Sequence, residues 1–167
     1  RRFMKVLLIN NHHKIVGGSE RYYLDLSNIL EKNGNQVAHF SMASSENEHS
    51  DWSSYFVSEI NLSNNSPVNF IKKIFRMAYS LESKYKLRAL LKKFKPDIVH
   101  INNIYYYISP SILGEVRKQK IPVVQTVHDY QLISPNSILF YKGYVSEVTK
   151  KNKYYKALFN GKSATIM

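Results

Sequence analysis

One stretch determines the architecture of this chain: Lys5-Val-Leu-Leu-Ile-Asn-Asn-His-His-Lys-Ile-Val-Gly-Gly-Ser-Glu-Arg-Tyr-Tyr-Leu-Asp-Leu26. Its first part is continuously apolar from Val6 to Ile9, which is typical of a parallel strand covered on both faces. Gly17 and Gly18 then let the backbone approach a bound phosphate, because no side chain stands in the way. Ser19 is expected to cap a helix, whose N-terminal N–H groups favour an anion. The stretch therefore predicts a strand, a glycine turn and a helix that suit a nucleotide-type ligand.

The pair Gly17-Gly18 is not the dinucleotide fingerprint, which requires Gly-x-Gly-x-x-Gly at the turn. A nicotinamide dinucleotide site is therefore not expected. Two isolated glycines more often make a simple tight turn before a helix. Their place at the first strand-to-helix crossing of a predicted parallel sheet favours the binding role instead.

Strand and helix patterns alternate along the rest of the chain. A helix is predicted over Ser19–Asn33, with Gly34 ending it, and another from Ser109-Pro110 to about Lys118. A long helical region is predicted from Ser66-Pro67 to Lys95, with Leu81 and Tyr85 on its apolar face and a break near Glu82. Further strands are predicted at Asn35–Met42, within Trp52–Ile60, at Ile98–Ile101 and at Ile121–Val127. This order predicts an α/β fold: a Rossmann-like, doubly wound parallel sheet with helices on both faces.

Polar residues follow the predicted strands, where ligands bind in such sheets. They are Asn10-Asn11-His12-His13, Asn102-Asn103 and His128-Asp129. The His128 imidazole could donate to a sugar hydroxyl or a phosphate oxygen, or could pack against a loop and be satisfied by backbone. Asp129 could orient His128 or bind a hydroxyl, and the second role is favoured because neighbours on an extended chain point apart.

Aromatic and metal-binding patterns leave fewer conclusions. Tyr105-Tyr106-Tyr107 could stack on a sugar ring or a lipid acceptor, or could simply pack a loop. Consecutive histidines such as His12-His13 diverge on a strand-like loop, and no carboxylate stands at chelating spacing. A metal site is therefore not expected.

The charge is unevenly placed. The chain carries 24 Lys and Arg against 12 Asp and Glu, a formal net charge of +12, and Glu82 is the only acid between Pro67 and Lys95. Lys84, Arg88 and Lys92 share one helical stripe, which suits an anionic membrane surface or equally a solvated helix face. Nucleic acid is not an expected partner, because no recognised nucleic-acid motif accompanies the charge.

Length and composition limit the class of protein. The 167 residues suffice for one core, and no apolar run is long enough to cross a bilayer. The residues before Met4 are too few for a signal peptide, so a soluble cytoplasmic protein is expected. The absence of cysteine excludes disulfides and thiolate metal sites.

Three segments together resemble the N-terminal half of a family 4 retaining glycosyltransferase of the B-type fold, over about Met4 to Gly143. They are Gly17-Gly18-Ser19-Glu20-Arg21, Lys95-Pro-Asp-Ile-Val-His-Ile-Asn-Asn103 and Pro122-Val-Val-Gln-Thr-Val-His-Asp-Tyr130. The resemblance implies two Rossmann-like domains, of which the N-terminal one binds the acceptor and the C-terminal one grips a nucleoside diphosphate sugar.

The resemblance also implies roles for individual residues. Those expected at the donor diphosphate are Gly17, Gly18, Ser19 and Glu20; those expected to be catalytic are His128 and Asp129; and those expected on the acceptor side are Asn103, Tyr105 and Tyr130. Peripheral attachment to the inner face of the cell membrane would use Lys84, Arg88 and Lys92. No metal or organic cofactor is expected, since helix termini and basic residues offset the charge of the leaving diphosphate.

Two boundaries follow from the same resemblance. Residues 1–143 are expected to form the Rossmann-like acceptor-side domain, and residues 144–167 a poorly defined tail. The family's pair of glutamates spaced eight apart lies in a C-terminal domain that this sequence does not include, so the segment alone is not expected to turn over. The alternative is a non-catalytic α/β module that docks on an anionic membrane or polyanion.

Overall fold

The structure is a computed structural model that describes residues 3–59, 79–105 and 107–130, together with the backbone of 140–141 and 144–145. The chain divides into two compact units, Arg1–Thr126 and Val127–Met167. The first unit contains a four-stranded sheet, and the second contains an antiparallel pair formed by β5 (Phe140–Tyr141) and β6 (Tyr144–Val145).

The four-stranded sheet is parallel throughout. Its strands are β1 (Lys5–Ile9), β2 (Gln36–Phe40), β3 (Ile98–Ile101) and β4 (Val123–Gln125), in the spatial order β2-β1-β3-β4. The chain thus runs from β1 to a neighbour on one side, then returns to a neighbour on the other side. Such a reversal creates a crevice at the carboxyl ends of β1 and β3, the usual ligand position in open α/β sheets.

Helices cover both faces of the sheet, as the sequence predicts. Successive β1 residues point to opposite faces. Val6 and Leu8 pack with Tyr23 and Leu24 of α1 (Gly18–Lys32). The opposite face of the sheet is covered by α2 (Leu81–Phe94) and α3 (Leu113–Lys118), and its core includes Leu7, Ile9, Leu87, Leu90, Leu91, Val99, Ile101 and Val116. This two-sided burial explains the continuous apolar run of β1 and confirms the predicted doubly wound fold.

Helix α1 begins one residue before its predicted start. Gly17 occupies the N-cap position in extended backbone, and no side chain caps the helix, so the expected cap by Ser19 is wrong. Ser19 already lies inside the first turn. The predicted end is confirmed, because Gly34 follows the C-cap with φ of +83°, where any Cβ would stand 2.5 Å from the Phe3 ring.

Helix α2 is shorter than the predicted helical region. It begins after Ser80, whose hydroxyl accepts a hydrogen bond from Ser83 N, and ends at Lys95 in the left-handed conformation. Residues 60–78, the remainder of that prediction, lie outside the described residues. The expected apolar face was wrong for Leu81 and Tyr85, which are exposed. The buried face instead repeats from Leu87, because a helix that starts afresh at Ser80 has its own phase against the sheet.

Two predicted strands differ from the structure. In the predicted segment Trp52–Ile60, the described residues 52–59 form a single-turn 3₁₀ helix at Ser53–Tyr55 and one parallel bridge between Met42 and Val57, not a strand. The predicted buried strand over Ile121–Val127 is only three residues long, and its Val123 and Val124 are exposed. It lies at the edge of the four-stranded sheet, and a run of valines does not distinguish an edge strand from an interior one.

A pair of imidazoles is packed at the β1–β2 edge of the sheet. The rings of His13 and His39 lie 4.6 Å apart, and the Tyr23 hydroxyl bonds His13 Nδ1 at 2.9 Å. Both nitrogens of His39 bond serine hydroxyls, Nε2 to Ser27 at 2.8 Å and Nδ1 to Ser50 at 3.2 Å. Burial, and then the neighbouring His13, lower the pKa of His39 to about 3. Burial lowers the pKa of His13 as well.

Acidification is expected to destabilise the first unit through this pair. An unfolded histidine takes up its proton near the ordinary pKa of 6.5, whereas folded His39 stays neutral down to about pH 3. The unfolded chain therefore binds more protons across this window, so the stabilisation is complete above pH 6.5 and is lost as the pH falls. Between pH 7 and pH 5 the free energy of unfolding should drop by about 2 kcal/mol through His39 alone.

Urea unfolding at the two pH values measures this difference. We expect His39→Asn to flatten the pH dependence, since the titrating ring is removed. The matched control is His49→Asn, a substitution at a ring that is 89% exposed, which should keep the wild-type slope. A wild-type slope in His39→Asn would contradict the assignment.

Candidate functional site

The buried side chain of Asn10 joins three segments at the end of β1. Its Oδ1 accepts a hydrogen bond from Asn103 N at 3.1 Å, which ties it to the end of β3. Its Nδ2 donates to the His12 carbonyl at 2.9 Å and to Glu20 Oε1 at 3.4 Å. The loop after β1, the first turn of α1 and the loop after β3 are thus held by one amide, within the crevice where the strand order reverses.

The glycine turn presents open backbone at the start of α1. Gly17 and Gly18 are exposed, and a Cβ placed on Gly18 would meet nothing within 4 Å. Packing within the protein therefore does not require a glycine at position 18. Since no side chain caps α1, its first N–H groups and the positive end of its dipole are available to an anion.

Ser19 and Glu20 do not play the same part in this turn. Ser19 is half-buried, whereas Glu20 is only 6% exposed and contacts Asn10. A carboxylate repels a diphosphate. The geometry therefore suits Glu20 for positioning the Asn10 amide better than for direct contact with such a ligand. The resemblance to the family placed both residues at the donor diphosphate, and that role stays a prediction.

Tyr105 is anchored at both its backbone and its ring. Its carbonyl accepts a hydrogen bond from Asn11 Nδ2 at 2.7 Å, and its hydroxyl accepts one from Gln125 Nε2 at 3.3 Å. Tyr107 packs edge-on against His12, with ring centroids 5.0 Å apart. Tyr106 lies outside the described residues. The tyrosine segment thus packs a loop, as one of the two sequence readings had it, and also borders the crevice.

Sequence reasoning missed two features of this edge of the sheet. Asn10 was recognised only as one polar residue among several, although its position directly after a buried strand was a usable signal. Thr126 Oγ1 lies 2.8 Å from His100 Nε2 and 3.4 Å from the Tyr22 hydroxyl, so it links β3, α1 and the end of β4. No local pattern announces that contact.

His128, Asp129 and Tyr130 belong to the second compact unit, which begins at Val127. Strand β4 ends at Gln125, two residues before the predicted strand end at Val127. Thr126 N still donates a hydrogen bond to the Ile101 carbonyl. The catalytic and acceptor roles expected of these three residues stay predictions.

The basic stripe of α2 is directed largely at one acid. Glu115 of α3 is 2% exposed and receives Arg88 Nε at 2.8 Å, Lys118 Nζ at 3.2 Å and Lys84 Nζ at 3.7 Å. The hydrogen bond from Arg88, with further help from Lys118, lowers the pKa of Glu115 to about 2 despite its burial. Two of the three residues expected at a membrane therefore neutralise a buried carboxylate, while Lys92 is exposed.

The described part of the chain contains neither a cluster of metal-binding side chains nor a membrane-spanning helix. Among those residues, no three His, Cys, Asp or Glu side chains are grouped so that they could hold a metal ion. No helix there has the length and apolar character needed to span a bilayer.

A curated protein and a solved structure are each similar to part of this chain. A segment of 74 residues is 35% identical to an uncharacterized 42.6 kDa protein in the cps region of Klebsiella pneumoniae, covering 44% of this chain and 19% of that protein. A solved alpha-glucosyltransferase, in complex with UDP and a 13-mer DNA containing an HMU base, is 14% identical with a TM-score of 0.40. That similarity covers 74% of this chain and 30% of the other, so the chain spans less than a third of either relative.

The family comparison covers far more of the chain. The model of Glycosyltransferase Family 4 matches residues 16–166, from just before the glycine turn to the penultimate residue. The parallel sheet and the turn at the start of α1 agree with the resemblance inferred from the sequence. By this match, the chain belongs to Glycosyltransferase Family 4.

Proposed function

We propose that this chain is the acceptor-side N-terminal domain of a retaining glycosyltransferase. The complete enzyme would move a hexose from a nucleoside diphosphate sugar to a saccharide or lipid-linked acceptor. The observation that carries the proposal is the open Gly17-Gly18 turn beside the Asn10 network, at the crevice between β1 and β3. Family membership supports the same class of reaction.

The proposed roles follow the chemistry of each group. The N–H groups at the start of α1 would stabilise the charge that develops on the leaving diphosphate, as preorganised donors do. Asn103, Tyr105 and Tyr130 would bind the acceptor, and His128 and Asp129 would act at the reacting sugar. The proposal retains the expectation that no metal or organic cofactor takes part, and that the enzyme works in the cytoplasm at or near the inner face of the cell membrane.

A purely membrane-docking module has less support. Its central claim needs Lys84, Arg88 and Lys92 to present charge to anionic lipid. Because Lys84 and Arg88 are paired with buried Glu115, both side chains are held toward α3, and the carboxylate offsets one positive charge of the stripe. Peripheral contact through Lys92 and its neighbours is compatible with the transferase and is proposed only as an accessory property.

The glycine turn gives the sharpest test. Gly18→Ala adds a methyl group that meets no protein atom within 4 Å. Because a helical Cβ tilts toward the helix N-terminus, this methyl group should restrict access to the first N–H groups of α1. We expect it to weaken nucleoside diphosphate binding at least tenfold, about 1.4 kcal/mol, while stability stays equal or rises by up to about 1 kcal/mol. UDP, GDP, ADP and dTDP are titrated calorimetrically into the full-length polypeptide that contains this chain.

Gly114→Ala is the matched control, because that helical glycine also has no atom within 4 Å of an added Cβ and lies on α3. It should leave nucleotide affinity unchanged. Equal affinity in both variants would remove Gly18 from the site, and no binding of any nucleoside diphosphate to the wild type would contradict the proposed function itself.

The Asn10 network is expected to support the turn and the fold together. Asn10→Asp keeps the side-chain shape but removes both N–H donors and sets a second carboxylate 3.4 Å from Glu20. We expect a loss of roughly 3 kcal/mol in the free energy of unfolding, from unpaired buried groups and like-charge repulsion. Chemical denaturation measures it.

The exposed Asn28→Asp is the control for the added charge and should cost little. Adding Glu20→Gln to Asn10→Asp supplies an amide donor to the new carboxylate, so part of the stability should return. If the double variant is no more stable than Asn10→Asp, the Asn10–Glu20 contact does not carry the effect.

His128→Ala in the complete enzyme is expected to lower turnover at least tenfold, on the order of 1.4 kcal/mol in the activation barrier. His128→Asn keeps a neutral hydrogen-bond donor and should retain part of the activity if the imidazole acts only as a donor. Steady-state kinetics at saturating substrates, with thermal midpoints as a check of folding, distinguish these outcomes. Turnover unchanged in His128→Ala would exclude a catalytic role.

A further inference from the structure

A separate cavity opens between α1, β2 and the segment 48–52. Its volume is about 280 Å³, near the lower end of the range for small-ligand pockets. One helical stripe of α1 forms a wall, and two residues of one face of β2 form the floor. The lining residues are His13, Leu24, Ser27, Asn28, Glu31, Val37, His39, Glu48, His49, Ser50, Asp51 and Trp52. None of the candidate transferase residues is among them.

The charge of this cavity is opposite to that of the chain. Three carboxylates, on Glu31, Glu48 and Asp51, line it, and no lysine or arginine does, although the chain has twice as many basic as acidic residues. The charge of the Glu48 carboxylate extends into the protein beneath the cavity: burial, and then Glu48, raise the pKa of the buried Tyr23 hydroxyl. An anionic cavity in a strongly basic protein favours a cationic ligand.

Two of the three histidines in the lining do not offset the negative charge of these carboxylates. His13 and His39 are held neutral by burial, and their ring nitrogens bond the uncharged hydroxyls of Tyr23, Ser27 and Ser50. The single imidazole at the rim, His49, lies 4.0 Å from Asp51 and is 89% exposed. The negative charge of the cavity is therefore set by its rim and is not neutralised from below.

The size and shape of the cavity favour an organic cation over a metal ion. In the part of the chain that the structure describes, no three carboxylates or imidazoles are close enough together to hold a metal. The carboxylates instead border a space large enough for one sugar-sized ring. Trp52 lines that space with its ring fixed edge-on to Phe94, at 5.1 Å, and an indole face attracts ammonium groups and packs against ring C–H bonds.

We propose that this cavity is a second ligand site, which binds a small hydroxylated organic ammonium ion of the amino-sugar class. The carboxylates of Glu31, Glu48 and Asp51 attract the ammonium group, and the ring lies against Trp52. The amide of Asn28, also in the lining, offers hydrogen bonds to hydroxyl groups. The proposal does not depend on the transferase reaction, because it shares no residue with the glycine turn.

The test compares two probes that differ by one charge, D-glucosamine and D-glucose, titrated into the full chain at pH 6.5, where the glucosamine amine is protonated, and followed by NMR chemical shifts. We expect saturable binding of glucosamine, with shifts at Trp52 and at least tenfold weaker binding of glucose. Glu31→Gln combined with Glu48→Gln should weaken glucosamine binding at least tenfold. Both substitutions are isosteric and lie at exposed positions. Circular dichroism verifies that the variant is folded.

Glu46→Gln is the matched control, because Glu46 pairs with Lys14 and does not line the cavity. It should bind glucosamine like the wild type. Absence of saturable binding, equal binding of glucose, or wild-type affinity in the double variant would each overturn the proposal. Displacement of glucosamine by a nucleoside diphosphate would overturn the separateness of the site, whereas failure of nucleotide binding alone would leave it intact.

Discussion

The burial of β1 on both faces is the constraint on which the remaining structure depends. Leu7 and Ile9 pack toward α2 and α3, while Val6 and Leu8 pack toward α1, so the strand can neither slip by one residue nor face water. Because β1 also pairs with β2 and β3, its carboxyl end lies at the centre of the sheet. The polar residues that follow β1 therefore lie at the crevice between the carboxyl ends of β1 and β3.

Directly after β1, the hydrogen bonds of the Asn10 amide hold the neighbouring segments together where hydrophobic packing ends. Asn10 is fully buried, so leaving its polar atoms without partners would cost stability, and it satisfies them on three different segments. These hydrogen bonds, to His12 and Glu20 on either side of it, position the glycine turn. The open backbone at Gly17 and Gly18 is thus combined with a fixed base, an arrangement that suits the diphosphate binding proposed for this turn.

Charge in this protein is organised locally. Buried Glu115 is paired with Arg88, Lys118 and Lys84 between α2 and α3, and three carboxylates line a cavity beside β2. The net charge of +12 predicts neither arrangement. It describes long-range attraction to anions, whereas each site is governed by charges within a few ångströms.

The amino-acid sequence by itself determined the parallel doubly wound sheet, the end of α1 at Gly34, the strand at Ile98–Ile101 and the family, because apolar periodicity, glycine and proline act over a few residues. It could not determine the partners of Asn10 and Asn103, which are 93 residues apart, or the inward role of Glu20. Nor could it show that Val123 and Val124 lie on an edge strand, or that Leu81 and Tyr85 face outward. Those features arise only when distant segments pack, since the same side chain is buried or exposed, paired or open, according to what the fold sets beside it.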